Sequence, residues 1–191
     1  MELRAENLCK EYDGVPVLRN VSFTAGPGVT CVMAPSGAGK TTLLRILLGL
    51  EQADSGSIAG LEGCRLSAVF QEDRLLPNRS ALENLRFVLG PAFRRQEALD
   101  LLAELGLAEV GEKPVREFSG GMRRRTALAR ALLAPFDLLL LDEPFAGLDG
   151  ENRLRCLKAI GRRTAGKTVL LVTHDRQDAE GLDAGIVWLE Q

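Results

Sequence analysis

Residues 34–42 read Ala34-Pro35-Ser36-Gly37-Ala38-Gly39-Lys40-Thr41-Thr42. The stretch follows the apolar run "GVTCVMA" and opens into "KTTLLRILLGL", which has the apolar density of a helix and Gly49 near its expected end. A strand, a glycine-rich loop and a helix in that order form the context in which GxxxxGK followed by Ser or Thr binds phosphate. Gly37 and Gly39 let backbone N–H groups turn inward around anionic oxygens, and the helix directs its positive end at them. Lys40 adds a full charge, and Thr41 supplies a hydroxyl suited to Mg²⁺. The first glycine of the pattern is replaced by Ala34. A methyl group there is harmless if φ stays below zero and costs about 1–2 kcal/mol if it does not, so an extended backbone is expected at Ala34.

The rest of the composition fits a single substantial core. The chain has 191 residues, 46% of them hydrophobic, with a formal charge of -2. Such a balance gives no electrostatic footprint for nucleic acid. Cys9, Cys31, Cys64 and Cys156 are scattered singly, which points to reduced thiols rather than to zinc or a disulfide framework. The polar start "MELRAENLCKEYDG" does not read as a signal peptide, and no apolar run approaches the length of a membrane span.

Periodicity divides the chain into three parts. Residues 1–33 contain β-type runs such as "VLRNVSFTAG". From about residue 72 to 134 the pattern is helical. Ser80 and Glu83 make a capping box before "ALENLRFVL", Gly90 ends that segment, "RRQEALDLLAELGL" precedes Gly106, and "GGMRRRTALARALLA" runs to Pro135. Strand character returns in "DLLLLDEP", "KTVLLVTHD" and "GIVWLEQ", with the helical "ENRLRCLKAIGRR" between the first two. Apolar strands alternating with helices imply an α/β fold with a parallel sheet covered on both faces, into which 72–134 is inserted. The basic run Arg123 to Arg125 reads as a solvated helix face.

Two further stretches carry chemistry. In "LLLLDEP" a buried strand ends in Asp142 and Glu143, and two carboxylates there need a cation or hydrogen bonds to offset their desolvation. Asp142 suits Mg²⁺ and Glu143 suits the polarisation of water. In "FSGGM", Ser119, Gly120 and Gly121 stand where a long helix begins, an arrangement that serves as an anion site or as a plain N-cap. An anion site without its own lysine fits a second copy of the chain, with each nucleotide shared across a two-fold dimer.

With these motifs in hand, the sequence resembles ABC-type ATPases, the nucleotide-binding subunits of ATP-driven transporters, over essentially its whole length. Residues 34–42 correspond to Walker A, Gln71 in "VFQED" to the Q-loop, "FSGGM" to the signature, "LLLLDEP" to Walker B, Asp149 in "AGLD" to the D-loop and His174 in "VTHD" to the switch histidine. The chain's single tyrosine, Tyr12, and single histidine, His174, fall where this family places an adenine-stacking aromatic and a γ-phosphate sensor. Met122 and Phe118 depart from the usual LSGGQ wording without removing the Ser-Gly-Gly group.

The resemblance implies a P-loop NTPase core with a mainly parallel sheet, an N-terminal antiparallel β subdomain and an inserted helical subdomain. A single domain, 1–191, would have its core and β subdomain in 1–71 and 135–191 and its helical subdomain in 72–134. It also implies Mg-dependent ATP hydrolysis. ATP would be bound by Tyr12 and by Ala34, Pro35, Ser36, Gly37, Ala38, Gly39, Lys40, Thr41 and Thr42. Thr41, Gln71 and Asp142 would hold Mg²⁺, with Glu143, His174 and Gln71 serving catalysis. Ser119, Gly120 and Gly121 would meet the ATP of a second, identical subunit.

Implied partners are transmembrane permease subunits and an external solute-binding protein, with the chain peripheral on the cytoplasmic face of the cell membrane. "QEDRLLPNRSALENL", "SGGMR" and "DEPF" resemble importer ATPases of the nitrate, sulfonate and taurine group, although Asn78 stands where that group often has Trp. Family members in DNA repair, chromosome organisation or translation share the nucleotide site. They carry coiled coils, zinc inserts or paired cassettes that this chain lacks.

Overall fold

The computed structural model describes residues 1–35 and 37–189. The strands are β1 (Leu3–Tyr12), β2 (Val15–Ala25), β3 (Gly28–Met33), β4 (Ser55–Ala59), β5 (Leu66–Val69), β6 (Leu138–Asp142), β7 (Thr168–Thr173) and β8 (Gly185–Trp188). The α-helices are α1 (Lys40–Leu47), α2 (Ala81–Leu89), α3 (Arg95–Glu104), α4 (Gly120–Leu133), α5 (Gly150–Arg163) and α6 (Arg176–Gly181). Contacts group the chain into two units. One holds residues 1–68, 136–143 and 165–191, and the other holds 69–135 and 144–164.

The first unit contains both sheets. β2, β1 and β4 form an antiparallel sheet, and β5-β6-β7-β3-β8 form the second, in which β6, β7, β3 and β8 run parallel. Every residue of β6 and β7 is buried, which explains why their sequences are continuous apolar runs rather than alternating ones. Leu43, Leu44 and Leu47 of α1 pack with Val32, Leu138, Leu140, Leu170 and Val172 in one core. The strand, loop, helix unit and the parallel sheet are as the sequence implies. The short β4 and β5 and the six-residue α6 were not legible there, because "SGSIA" has no apolar face and "RQDAEG" no helical stripe.

The second unit is helical. α2 begins with the expected capping box: Ser80 Oγ accepts from the Glu83 N–H at 3.1 Å, while the Glu83 carboxylate accepts from the Ser80 N–H at 2.8 Å. That N–H, helped by the Arg79 guanidinium, holds the Glu83 carboxyl below its ordinary value. Gly90 and Gly106 both adopt positive φ at the ends of α2 and α3. Ser119 caps α4 by accepting from the Met122 N–H, and Asp149 caps α5 by accepting from the Asn152 N–H.

One reading is corrected. Arg124 and Arg125 do not lie on a solvated helix face; both are buried, at 7% exposure. Arg125 donates to the carbonyls of Leu105 and Gly106 at the end of α3. Backbone carbonyls that a helix end leaves unpaired satisfy this buried guanidinium, and charge periodicity alone does not reveal such partners.

Ser80→Ala removes one half of the capping box and is expected to lower unfolding free energy by about 1 kcal/mol. Urea denaturation of the two proteins measures it; no change would mean that the cap is not holding α2.

Candidate nucleotide site

The site in the first unit is assembled by strand register. In the parallel sheet Met33 of β3 lies opposite Thr173 of β7, and Asp142 of β6 lies opposite Val172 of β7. The carboxyl ends of three adjacent strands are therefore level to within one residue. The 34–42 loop, the Asp142-Glu143 pair and Thr173-His174 leave the sheet at the same edge, where open α/β sheets bind ligands.

Within the loop, Gly37 and Gly39 have φ of +83° and +79°. Gly39 is the left-handed cap of α1, whose first turn carries no acidic side chain. The N–H groups of that turn have no acceptor within the helix, so with Lys40 they offer an anion a cluster of donors. Ser36, also assigned to this loop, lies outside the described residues. Positive φ among non-glycine residues occurs at Asn7, Asp13, Asn20, Arg74, Glu143 and Asp183, not at Ala34. Ala34 thus avoids the left-handed region, as expected. At 3% exposure its methyl belongs to the hydrophobic core.

Lys40 is buried and its Nζ donates to the carbonyls of Ala34 at 2.9 Å and Pro35 at 3.1 Å. Glu143 Oε1 lies 3.6 Å from the same nitrogen. Glu143 in turn receives His174 Nδ1 at 2.8 Å and Thr173 Oγ1 at 3.2 Å. With Glu143 ionised, Nδ1 of His174 carries the hydrogen. Glu143 has φ of +47°, uncommon for a residue with a Cβ.

Thr41 Oγ1 donates to Asp142 Oδ2 at 3.0 Å, and Asp142 is 1% exposed. A hydroxyl and one carboxylate oxygen so placed are the hard donors that Mg²⁺ uses when substrate phosphates and waters complete its shell. No group of three or more His, Cys, Asp or Glu suited to a metal occurs among the described residues, and a phosphate-assisted Mg²⁺ site needs none.

Tyr12 ends β1 and is 42% exposed. Its hydroxyl donates to Glu51, and this bond raises the phenol above its ordinary value, with a smaller opposing influence from the Thr42 hydroxyl. The Lys10 ammonium sits 5.5 Å from the ring centroid. The ring is thus anchored beside the start of α1.

Gln71, Ser119, Gly120, Gly121 and Asp149 belong to the second unit. Gln71 is in the exposed loop after β5, and Ser119 and Gly120 are exposed at the start of α4. Ser119 and Asp149 are both N-caps, and the Asn152 N–H holds the Asp149 carboxyl below its ordinary value.

Sequence reasoning overlooked Thr173 and Asp178. Thr173 Oγ1 is also 2.7 Å from Asp178 Oδ2, so the single proton of this buried hydroxyl serves one of two carboxylates at a time, and Asp178 is the nearer. Adjacency to His174 was the available signal for Thr173. Asp178 had none.

Gly37 and Gly39 differ in surroundings. A Cβ at Gly37 would meet nothing within 4 Å, whereas at Gly39 it would lie 2.6 Å from the Val17 carbonyl oxygen and 2.7 Å from Leu18 Cδ2. Gly37→Ala should cost about 1–2 kcal/mol through φ alone. Gly39→Ala should cost about 1–3 kcal/mol more from overpacking. Denaturant titration of the two variants checks the order, and equal losses would contradict it.

Comparison with known proteins agrees with this geometry. The family described as ABC transporter matches residues 18–146. The aliphatic sulfonates import ATP-binding protein SsuB 1 of Rhodococcus jostii (strain RHA1) is 46% identical, over 88% of this chain and 71% of its own length. SsuB of Cupriavidus necator (strain ATCC 17699 / DSM 428 / KCTC 22496 / NCIMB 10442 / H16 / Stanier 337) is 42% identical, over 98% of this chain and 66% of its own. The chain therefore spans about two thirds of the length of these relatives. The dimeric post-hydrolysis structure of the ATP-binding cassette MJ0796, bound to ADP and Pi, superposes with a TM-score of 0.85 at 27% identity, covering 98% of this chain and 94% of that one. Level strand ends, the lysine-bearing loop and the Asp-Glu pair thus coincide with a family match over more than half the sequence, and the chain belongs to the ABC transporter family as an ATP-binding cassette.

Proposed function

We propose that this chain is the ATP-binding and hydrolysing subunit of an importer for small solutes, with sulfonates the class its relatives' names suggest. The observation that carries the reading is the convergence of Lys40, Asp142, Glu143 and His174 at one sheet edge. Lys40 and the amides of residues 37–42 bind the β- and γ-phosphates, and Tyr12 stacks on adenine. Thr41 and Asp142 would hold Mg²⁺, with Gln71 contributing, and the ion would supply positive charge beside the transferred phosphoryl group.

Glu143 accepts a proton from the attacking water as its oxygen bonds to the γ-phosphorus and the bond to ADP breaks. His174, hydrogen-bonded to Glu143 Oε1, keeps that carboxylate aimed and meets the γ-phosphate through its other nitrogen. Ser119, Gly120 and Gly121 of a second identical subunit close over the nucleotide, with Asp149 at the dimer seam. Closure supplies positioning, on which phosphoryl transfer chiefly depends.

The permease partner docks on the second unit, at the cytoplasmic face of the membrane, and an external binding protein delivers the solute. No helix among the described residues is long and apolar enough to cross a membrane. A groove of about 870 Å³ runs between Leu76, Pro77, Arg79, Arg86, Phe87 and Pro91. Phe87 beside it is 75% exposed and Val88 50%. Apolar side chains left in water and rimmed by charge suit a partner's helix. Residues 72–134 act as the helical subdomain and 1–71 with 135–191 as the catalytic body, although by contacts residues 144–164 group with the helical part.

Glu143→Gln is expected to keep ATP affinity and to lower turnover by roughly 10²–10⁴, the range for loss of a general base. Equilibrium nucleotide binding and phosphate release measure the two quantities. Undiminished hydrolysis would overturn the role given to Glu143.

A further inference from the structure

The loop after β5 is held in an unusual way. Arg124 Nη1 donates to the Phe70 carbonyl at 2.5 Å, and its Nη2 donates to the Gln71 carbonyl at 2.5 Å. Arg130, also on α4, donates from Nη1 to the Arg74 carbonyl at 2.6 Å and from Nη2 to the Asp73 carbonyl at 3.0 Å. Two guanidinium forks thus hold four carbonyls within a stretch of five residues. The Asp73 carboxylate lies 3.3 Å from Arg124 Nη1, and the Arg74 guanidinium stacks 3.7 Å above the Phe70 ring. Arg74 has φ of +47°, so the loop is bent where Arg130 grips it.

This is more than a structural loop requires. A buried guanidinium costs desolvation unless its donors are met, and here main-chain carbonyls meet them alongside the Asp73 carboxylate. Main-chain acceptors fix the path of a loop, whereas a side-chain partner would leave it free to swing. Burial pushes the Asp73 carboxyl up, against the pull of Arg124, Arg123 and Arg130. The loop's one catalytic candidate, Gln71, is the residue whose own carbonyl Arg124 holds, and its side chain stays exposed.

We infer that Arg124, with Arg130, is a positioning residue for Gln71: the forks fix the backbone of residues 70–74 to the helix that begins with Ser119, Gly120 and Gly121. Gln71 and the signature then move as one piece. An arginine is needed because its planar fork spans two neighbouring carbonyls, which a lysine ammonium does not do in fixed geometry. The inference rests on the role proposed above for Gln71 in ATP hydrolysis.

The test is a double-mutant cycle on the full chain, reading steady-state MgATP hydrolysis and thermal unfolding for Arg124→Gln, Gln71→Ala and the pair. Arg124→Gln should lower kcat about 10-fold while KM moves much less, in keeping with the cost of slight misplacement. In the Gln71→Ala background the same change should lower kcat by no more than about 2-fold, the limit of apparent additivity error, while its Tm loss is the same in both backgrounds. Arg124→Lys retains the charge and one contact; it should give an intermediate kcat loss that also vanishes with Gln71→Ala, and it serves if Arg124→Gln does not fold.

Equal fold losses in both backgrounds, or wild-type kcat for both Arg124 variants, would overturn the inference while leaving the ATPase reading intact. Absence of hydrolysis by the wild-type chain, together with unchanged nucleotide binding by Lys40→Ala, would remove that reading and the inference with it.

Discussion

The nucleotide site depends first on the register of β6, β7 and β3. Side chains alternate faces along a strand, so a slip of one residue would send Asp142 to the opposite side of the sheet and carry Glu143 away from Lys40. The register is specified because all three strands bury their inner residues: Cys31, Val32, Leu140, Leu141, Leu170 and Leu171 have no exposed surface. An apolar core with no slack therefore sets where polar groups emerge. Once Met33 faces Thr173 and Asp142 faces Val172, loop, carboxylates and histidine leave the sheet within a residue of one another.

Such gathering concentrates charge in a place that is nearly dry. Lys40 and Asp142 are 8% and 1% exposed, and Glu143 is mostly covered. Each charge is costly there unless compensated. The chain compensates through short local contacts: two carbonyls for Lys40, the Thr41 hydroxyl for Asp142, and Lys40, His174 and Thr173 around Glu143. These are the same groups that the proposed chemistry assigns to phosphate, metal and water. An ordered network that is exchanged for substrate contacts loses little on binding, because its members are already close to their working positions.

How much of this was legible depended on whether an effect is local. The glycine-rich loop, the capping box at Ser80 and Glu83 and the apolar strands could be read because their causes lie within a few residues. Lys40 and Glu143 could be paired by motif, since each ends or follows a strand of the same kind of sheet. What escaped was set by distant main chain. Arg124 and Arg125 look like any basic helix face, and it is the carbonyls of 70–71 and 105–106, with the Asp73 carboxylate beside Arg124, that make their burial tolerable. The Thr173–Asp178 contact escaped for a related reason, because it needs α6, a six-residue helix with no apolar stripe to announce it.

Ala34 and Glu143 show how strain is distributed across the site. The alanine that breaks the loop pattern sits where a methyl group is useful, since, like that of Ala38, it fills core rather than crowding phosphate. Left-handed backbone is instead placed at Gly37 and Gly39, which adopt it freely, and at Glu143, which does not. For a residue with a Cβ that conformation costs about 1–2 kcal/mol. It persists because both ends of Glu143 are tied: its N–H bonds to the Val172 carbonyl at 2.9 Å, and its carboxylate is held by three neighbours. Extended backbone at this residue would carry the chain onward along β6 and point the carboxylate away. The turn is what brings Glu143 beside Lys40, so the strain and the candidate catalytic geometry have one cause.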